Sequence, residues 1–170
     1  DVVRSRGLGD VYKRQSLYRP PDRRQIYNEE KELLKIIEKY CYERKIKLTI
    51  LCKFFKNTRK GDQEISFYKN NLKKEYEIII NDHKRKTFKI IDQSKLVVNT
   101  GSTLGYEALA RKIKVALCHP YALSDNLRGK KRFGYLTKKN IQGFFWSIGI
   151  SEKNIFDLFD RVINCPKTKW

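Results

Sequence analysis

Leu96-Val97-Val98-Asn99-Thr100-Gly101-Ser102-Thr103-Leu104-Gly105-Tyr106-Glu107-Ala108-Leu109-Ala110 reads as a strand that runs directly into a polar loop and then a short helix. The β-branched run suits a buried strand. Gly101 permits a backbone turn that a side chain would resist. Ser102 and Thr103 place hydroxyls and N–H groups at a helix start, whose positive end favours an anion. Gly105 costs the helix about 1 kcal/mol against Ala, which close approach by a ligand or a neighbouring strand would explain. A Ser or Thr before a helix is most often only an N-cap. Two details go further. Asn99 to Thr103 supplies more polar groups than one cap uses. Glu107 follows Thr103 by four residues rather than three, so it closes no capping box with it. One turn in, its carboxylate could accept hydrogen bonds from ribose hydroxyls. On spacing alone, cap and phosphate site both stay open.

The pattern repeats on either side. Upstream, Lys47-Leu48-Thr49-Ile50-Leu51-Cys52 and Glu77-Ile78-Ile79-Ile80 are strand candidates, and Lys114-Val115-Ala116-Leu117-Cys118 follows downstream. From Asn28 the spacing predicts a helix with Leu33, Leu34, Ile37, Tyr40 and Cys41 on one face. Asp62 is placed to cap a second helix, with Ile65, Tyr68 and Leu72 inward. Thr87–Ser94 fits a short helix or a strand. After a loop of roughly thirty residues, a final amphipathic helix carries Ile155, Leu158, Phe159 and Val162. Strands alternating with helices at short spacing predict an α/β, Rossmann-like three-layer sandwich with a mainly parallel sheet. In such sheets ligands bind beyond the carboxyl ends of the strands.

A length of 170 residues is one ordinary domain, and 40% apolar with 12% aromatic content sustains a packed core. No apolar run reaches transmembrane length, and no secretory signal heads the chain. The net charge of +19 invites a nucleic-acid reading. Its distribution argues against one, because Lys and Arg are scattered and interleaved with Glu and Asp. A joint excess of Lys, Asn and Ile is also what A/T-rich coding produces. The denser pieces, Lys84-Arg85-Lys86 and Arg128 to Arg132, read as solvated loops. Cys41, Cys52, Cys118 and Cys165 form no CxxC pair, and His83 and His119 lack a neighbour at ligand spacing. No metal site is expected, and the cysteines fit a reducing cytosol.

The absence of Met predicts that the chain is a fragment of a longer protein. Residues 1–15 resemble translated sequencing-adapter read-through and are expected to be disordered and to pack poorly. Residues 16–26, with Pro20-Pro21, read as an extended linker. Residues 27–170 are the expected domain.

Gly101-Ser102-Thr103-Leu104-Gly105-Tyr106-Glu107-Ala108-Leu109-Ala110-Arg111 closely resembles the STLGYEALARG signature of bacterial surface carbohydrate biosynthesis proteins. These are similar to GT-B-type glycosyltransferases, among them capsule Kdo transferases and CMP-sugar transferases. Glu64-Ile65-Ser66-Phe67-Tyr68, the Phe88–Ser94 segment, Phe133-Gly134-Tyr135 and Gly143-Phe144-Phe145-Trp146 match the same pattern. The likeness spans Tyr27 to Trp170, the carboxyl-terminal half of such an enzyme. It departs at Lys112, Tyr135 and Gln142, outside the phosphate cradle.

The resemblance implies a domain that binds a nucleotide-sugar donor, CMP- or UDP-linked, and needs no other cofactor. Ser102 and Thr103 would hold the donor phosphate, with Gly101 and Gly105 in the cradle and Glu107 on the ribose. It further implies a glycan acceptor and a catalytic base supplied by an amino-terminal domain, so no catalytic residue is assigned here. A cytoplasmic location follows, with peripheral contact at the inner membrane face. Lys53 and His119 could line the cleft, although a snorkelling Lys and an ordinary loop His are the commoner cases. Phe144-Phe145-Trp146 could stack on a base or simply fill core. A basic RNA- or membrane-associated binding module and a nucleotide-sugar epimerase remain the alternatives.

Overall fold

The computed structural model describes residues 2–5, 21–81, 86–100, 102–120 and 142–170. The strands are β1 (Val2–Ser5), β2 (Leu48–Phe55), β3 (Glu77–Asn81), β4 (Leu96–Asn99), β5 (Val115–His119) and β6 (Trp146–Ile148). Between and after them come α1 (Pro21–Glu43), α2 (Arg59–Asn71), α3 (Lys86–Asp92), α4 (Thr103–Ala110) and α5 (Glu152–Asn164). The strands form one sheet in the order β3-β2-β1-β4-β5-β6, and every neighbouring pair is parallel. This is the Rossmann-like α/β architecture expected from the alternating pattern.

Alternation along the strands sorts their side chains between two cores. Leu48, Ile50, Cys52, Leu96, Val98, Ala116 and Cys118 pack with Leu33, Ile37 and Tyr40 of α1, Phe67 and Tyr68 of α2, and Ile155, Leu158, Phe159 and Val162 of α5. Leu51, Val97, Val115 and Leu117 form the second core with Ile91 of α3 and Ala108 of α4. The sheet is therefore buried on both faces, which is why its strands read as continuous apolar runs.

Tertiary contacts fix the outer layers. Tyr40 donates its hydroxyl to Asp160 Oδ1 at 2.7 Å, and Arg44 Nη2 donates to Asp160 Oδ2 at 2.7 Å, tying α1 to α5. Arg111 donates from Nε to Asp92 Oδ1 at 2.9 Å and from Nη2 to Asp92 Oδ2, linking α4 to α3. Trp170 Nε1 donates to the Ile113 carbonyl at 2.9 Å and anchors the last residue.

The structure corrects several boundaries. Residues 21–26 are not an extended linker: α1 begins at Pro21, where a fixed φ suits the first helical position and the missing N–H is no loss. Thr58, not Asp62, caps α2, accepting a hydrogen bond from Gly61 N, and Asp62 falls in the first turn. Thr87–Ser94 is mostly helical, as α3. The loop before the last helix contains β6. Val2–Ser5 is not outside the fold, because it pairs with β2 and β4 in the centre of the sheet. Two buried parallel strands, each with an edge facing the other, leave a slot that only a further strand can satisfy, and Val2-Val3 has the residues for it. The rest of the segment expected to be disordered, residues 6–15, lies outside the described residues. Among the described residues no helix is long and apolar enough to cross a membrane.

Candidate functional site

In the order β3-β2-β1-β4-β5-β6 the winding reverses between β1 and β4, and the crevice of a doubly wound sheet opens beyond the carboxyl ends of that pair. Ser5 of β1 is level with Asn99 of β4, which is level with Leu117 of β5. At this level β4 gives way to α4.

Asn99 builds the turn. It is fully buried, its Nδ2 donates to the Ser102 carbonyl at 3.0 Å, and its Oδ1 accepts from Ser102 N at 3.0 Å. Ser102 is the N-cap, with its Oγ accepting from Leu104 N at 3.3 Å, and Gly105 N donates to the Ser102 carbonyl at 3.2 Å. Three of the amino-terminal N–H groups are thereby used within the turn. Thr103 N has no hydrogen-bond partner among the described residues. Thr103 is exposed and Ser102 half-buried. Among the described residues of the turn, the donors left without a partner are the Thr103 N–H and the two hydroxyl hydrogens. Together with the helix dipole they favour one anionic oxygen at this point.

Ser102 and Thr103 thus stand at the start of α4, directly after the Val97-Val98 strand. Glu107 is exposed on the same helix, one turn along. Gly105 is buried, and a β-carbon there would lie 2.2 Å from Asn99 Nδ2. Its close neighbour is therefore the strand and not open crevice. Gly101 lies outside the described residues, as do His83 and Arg128 to Arg132. His119, the last residue of β5, is buried at 4% exposure, so it is no loop histidine. Trp146 is buried in the second core and Phe145 packs against it, while Phe144 is half exposed. The aromatic cluster is mainly core.

Two residues that shape this edge lie within the motifs, but the motifs do not give their roles. Asn99 was legible only as one polar residue among several, although an Asn three positions before a cap matches a side-chain-closed turn. Glu64 of α2, only 4% exposed, accepts from Lys53 N and Phe54 N, both at 3.0 Å, and fixes the end of β2. Its signal was a carboxylate within the buried stripe Gly61, Glu64, Phe67 and Tyr68. Among the described residues no group of His, Cys, Asp and Glu could hold a metal ion.

Fold and crevice define a Rossmann-like α/β domain with a helix amino terminus at the switch point of its sheet. Residues 21–170 match the model of a family described as "putative O-antigen biosynthesis protein". The chain belongs to that family, which links it to surface carbohydrate biosynthesis. No curated protein and no solved structure matches it.

Proposed function

We propose that the crevice beyond β1 and β4 binds the phosphate of a nucleotide-sugar, CMP- or UDP-linked, and that this chain is the donor-binding half of a GT-B-type glycosyltransferase. The observation that carries the reading is the position of Ser102 and Thr103 at the start of α4, at the switch point. Membership in an O-antigen family supports the carbohydrate side of it. In glycosyl transfer the bond from sugar to phosphate breaks, and charge develops on the leaving phosphate. Preorganised N–H and hydroxyl donors stabilise that charge. Glu107 would accept hydrogen bonds from the ribose. The glycan acceptor and the catalytic base would come from an amino-terminal domain of the parent protein, working at the cytoplasmic face of the inner membrane.

The test is a binding panel of CMP, CDP, UDP and GDP against single-stranded RNA at two salt concentrations. Nucleotide binding should weaken about tenfold in Thr103→Ala, as loss of one charge-assisted hydrogen bond implies. It should weaken also in Glu107→Ala with the melting temperature nearly unchanged. Tighter binding of RNA than of every nucleotide, lost steeply with salt, would instead favour the basic-module alternative.

A further inference from the structure

We propose that the carboxyl end of β2 and the first turn of α2 form a second phosphate subsite facing α4 across β1, so that the ligand is a nucleoside diphosphate rather than a monophosphate. The proposal rests on the phosphate reading above.

The strand register supplies the geometry. Ser5 is level with both Leu51 of β2 and Asn99 of β4. β4 stops at Asn99, whereas β2 continues to Phe55. Leu51 to Phe55 of β2 spans only Ile79 to Asn81 of β3, so at about 3.3 Å per residue β2 overhangs the crevice by roughly 7 Å. Strands lie about 4.8 Å apart, so β2 stands roughly 10 Å from β4. The end of β2 and the start of α4 are thus two lips that flank the carboxyl end of β1 from either side.

The overhang is held rigid and re-aimed. Its register with β3 shifts between Leu51 and Phe55, and Glu64 Oε2 takes the N–H groups of both Lys53 and Phe54. Two consecutive N–H groups on one acceptor break the strand's alternation, as bulges beside binding sites do. Cations gather there. Lys53 Nζ lies 5.8 Å and Lys60 Nζ 5.7 Å from the centroid of the Phe54 ring. Lys56 and Arg59 are exposed in the same turn. Lys56, Arg59 and Lys60 have no ion-pair partner among the described residues, whereas Lys35, Lys39 and Lys47 pair with glutamates. Among the described residues the acidic groups at this lip are Asp62 and Glu64, and Glu64 already serves the backbone. Among the described residues four cations stand against two carboxylates, a local surplus that a phosphoryl group neutralises. Long lysine stems allow the ammonium groups to follow it into the crevice.

The test titrates UMP and UDP into the full chain and into Lys53→Gln/Lys60→Gln. Lys60→Gln alone is a milder variant, and Lys73→Gln/Lys89→Gln removes the same charge elsewhere. We expect wild type to bind UDP at least tenfold tighter than UMP. The lip double variant should lose that preference while UMP affinity stays within twofold, Lys60→Gln should lose part of it, and the distant pair should keep it. Equal losses for UMP and UDP, or a preference that survives in the lip variants, would overturn the proposal. If wild type binds no nucleotide, the phosphate reading fails, and inorganic pyrophosphate then decides the lip. Amide shifts confined to residues 53–60 and lost in the double variant uphold the subsite, and their absence refutes it.

Discussion

The carboxamide of Asn99 fills the space that a β-carbon on Gly105 would need. Such a carbon would sit 2.2 Å from Nδ2 and 2.4 Å from Cγ of the same side chain. The amide cannot swing away cheaply, because both of its ends are hydrogen-bonded to the Ser102 backbone. Strand end, turn and first helical turn therefore form one interlocked unit. Glycine is used here for a protein neighbour, at the helix-propensity cost any mid-helix glycine carries.

Gly105→Ala should lower stability by about 2 kcal/mol, the overpacking loss exceeding the gain in propensity. Asn99→Ala should cost about 1–3 kcal/mol by leaving the N–H and carbonyl of half-buried Ser102 without their side-chain partner. The double variant should lose less than the sum, since Asn99→Ala removes the Nδ2 and Cγ atoms that the new methyl group meets first and leaves only the Cβ contact at 2.7 Å. Urea denaturation of the four chains measures the coupling, and strict additivity would refute the interlock.

Val3 pairs with Thr49 on one side and Val97 on the other. Val3→Pro removes a ladder donor from a central strand and should destabilise the domain by about 3 kcal/mol or more. A thermal melt decides: an unchanged midpoint would mean that residues 1–15 stand outside the fold after all.

Asp160 has its carboxyl held below the ordinary range, first by the hydrogen bond from Arg44 and also by that from Tyr40, against partial desolvation. A depressed folded-state pKa contributes stability that is complete above the unfolded value and lost as pH falls through the folded one. Wild type should therefore lose stability toward acid more steeply than Asp160→Asn. Denaturant midpoints between neutral pH and the acid range should converge for the two chains as pH falls.

Burial pushes the Cys41 thiol up to about 12, and all four cysteines are buried. The native chain should react slowly with a thiol reagent at pH 8, and all four groups should react rapidly in denaturant. Fast modification of Cys41 in the folded protein would contradict the packing of α1 against the sheet.

Periodicity located the elements whose residues carry the core. β4 and β5 read as apolar runs because both of their faces are covered, and α5 showed its stripe because only one of its faces is. β6 spans only Trp146–Ile148 and follows two further aromatics, so nothing in its composition separated it from a loop. β1 is hidden for another reason: the resemblance of its segment to adapter read-through says nothing of its pairing, which depends only on backbone and a few β-branched side chains. At the site, Ser102 and Thr103 were legible because turn and cap chemistry is local. The lock between Asn99 and Gly105 and the grip of Glu64 on β2 join residues across elements, and no local pattern records which backbone groups a buried amide or carboxylate will meet.

The place of β1 between β2 and β4 has a kinetic consequence. Among the described residues, no strand pairing joins β3-β2 to β4-β5-β6 except through those four residues. Each half can assemble from neighbouring sequence, but joining them requires a strand from the far end of the chain. Such distant pairing is slow. β1 is the seam of the molecule, and it should close last and open first. Amides on the facing edges of β2 and β4 should then exchange together, in one cooperative opening, ahead of those in the interior of either half.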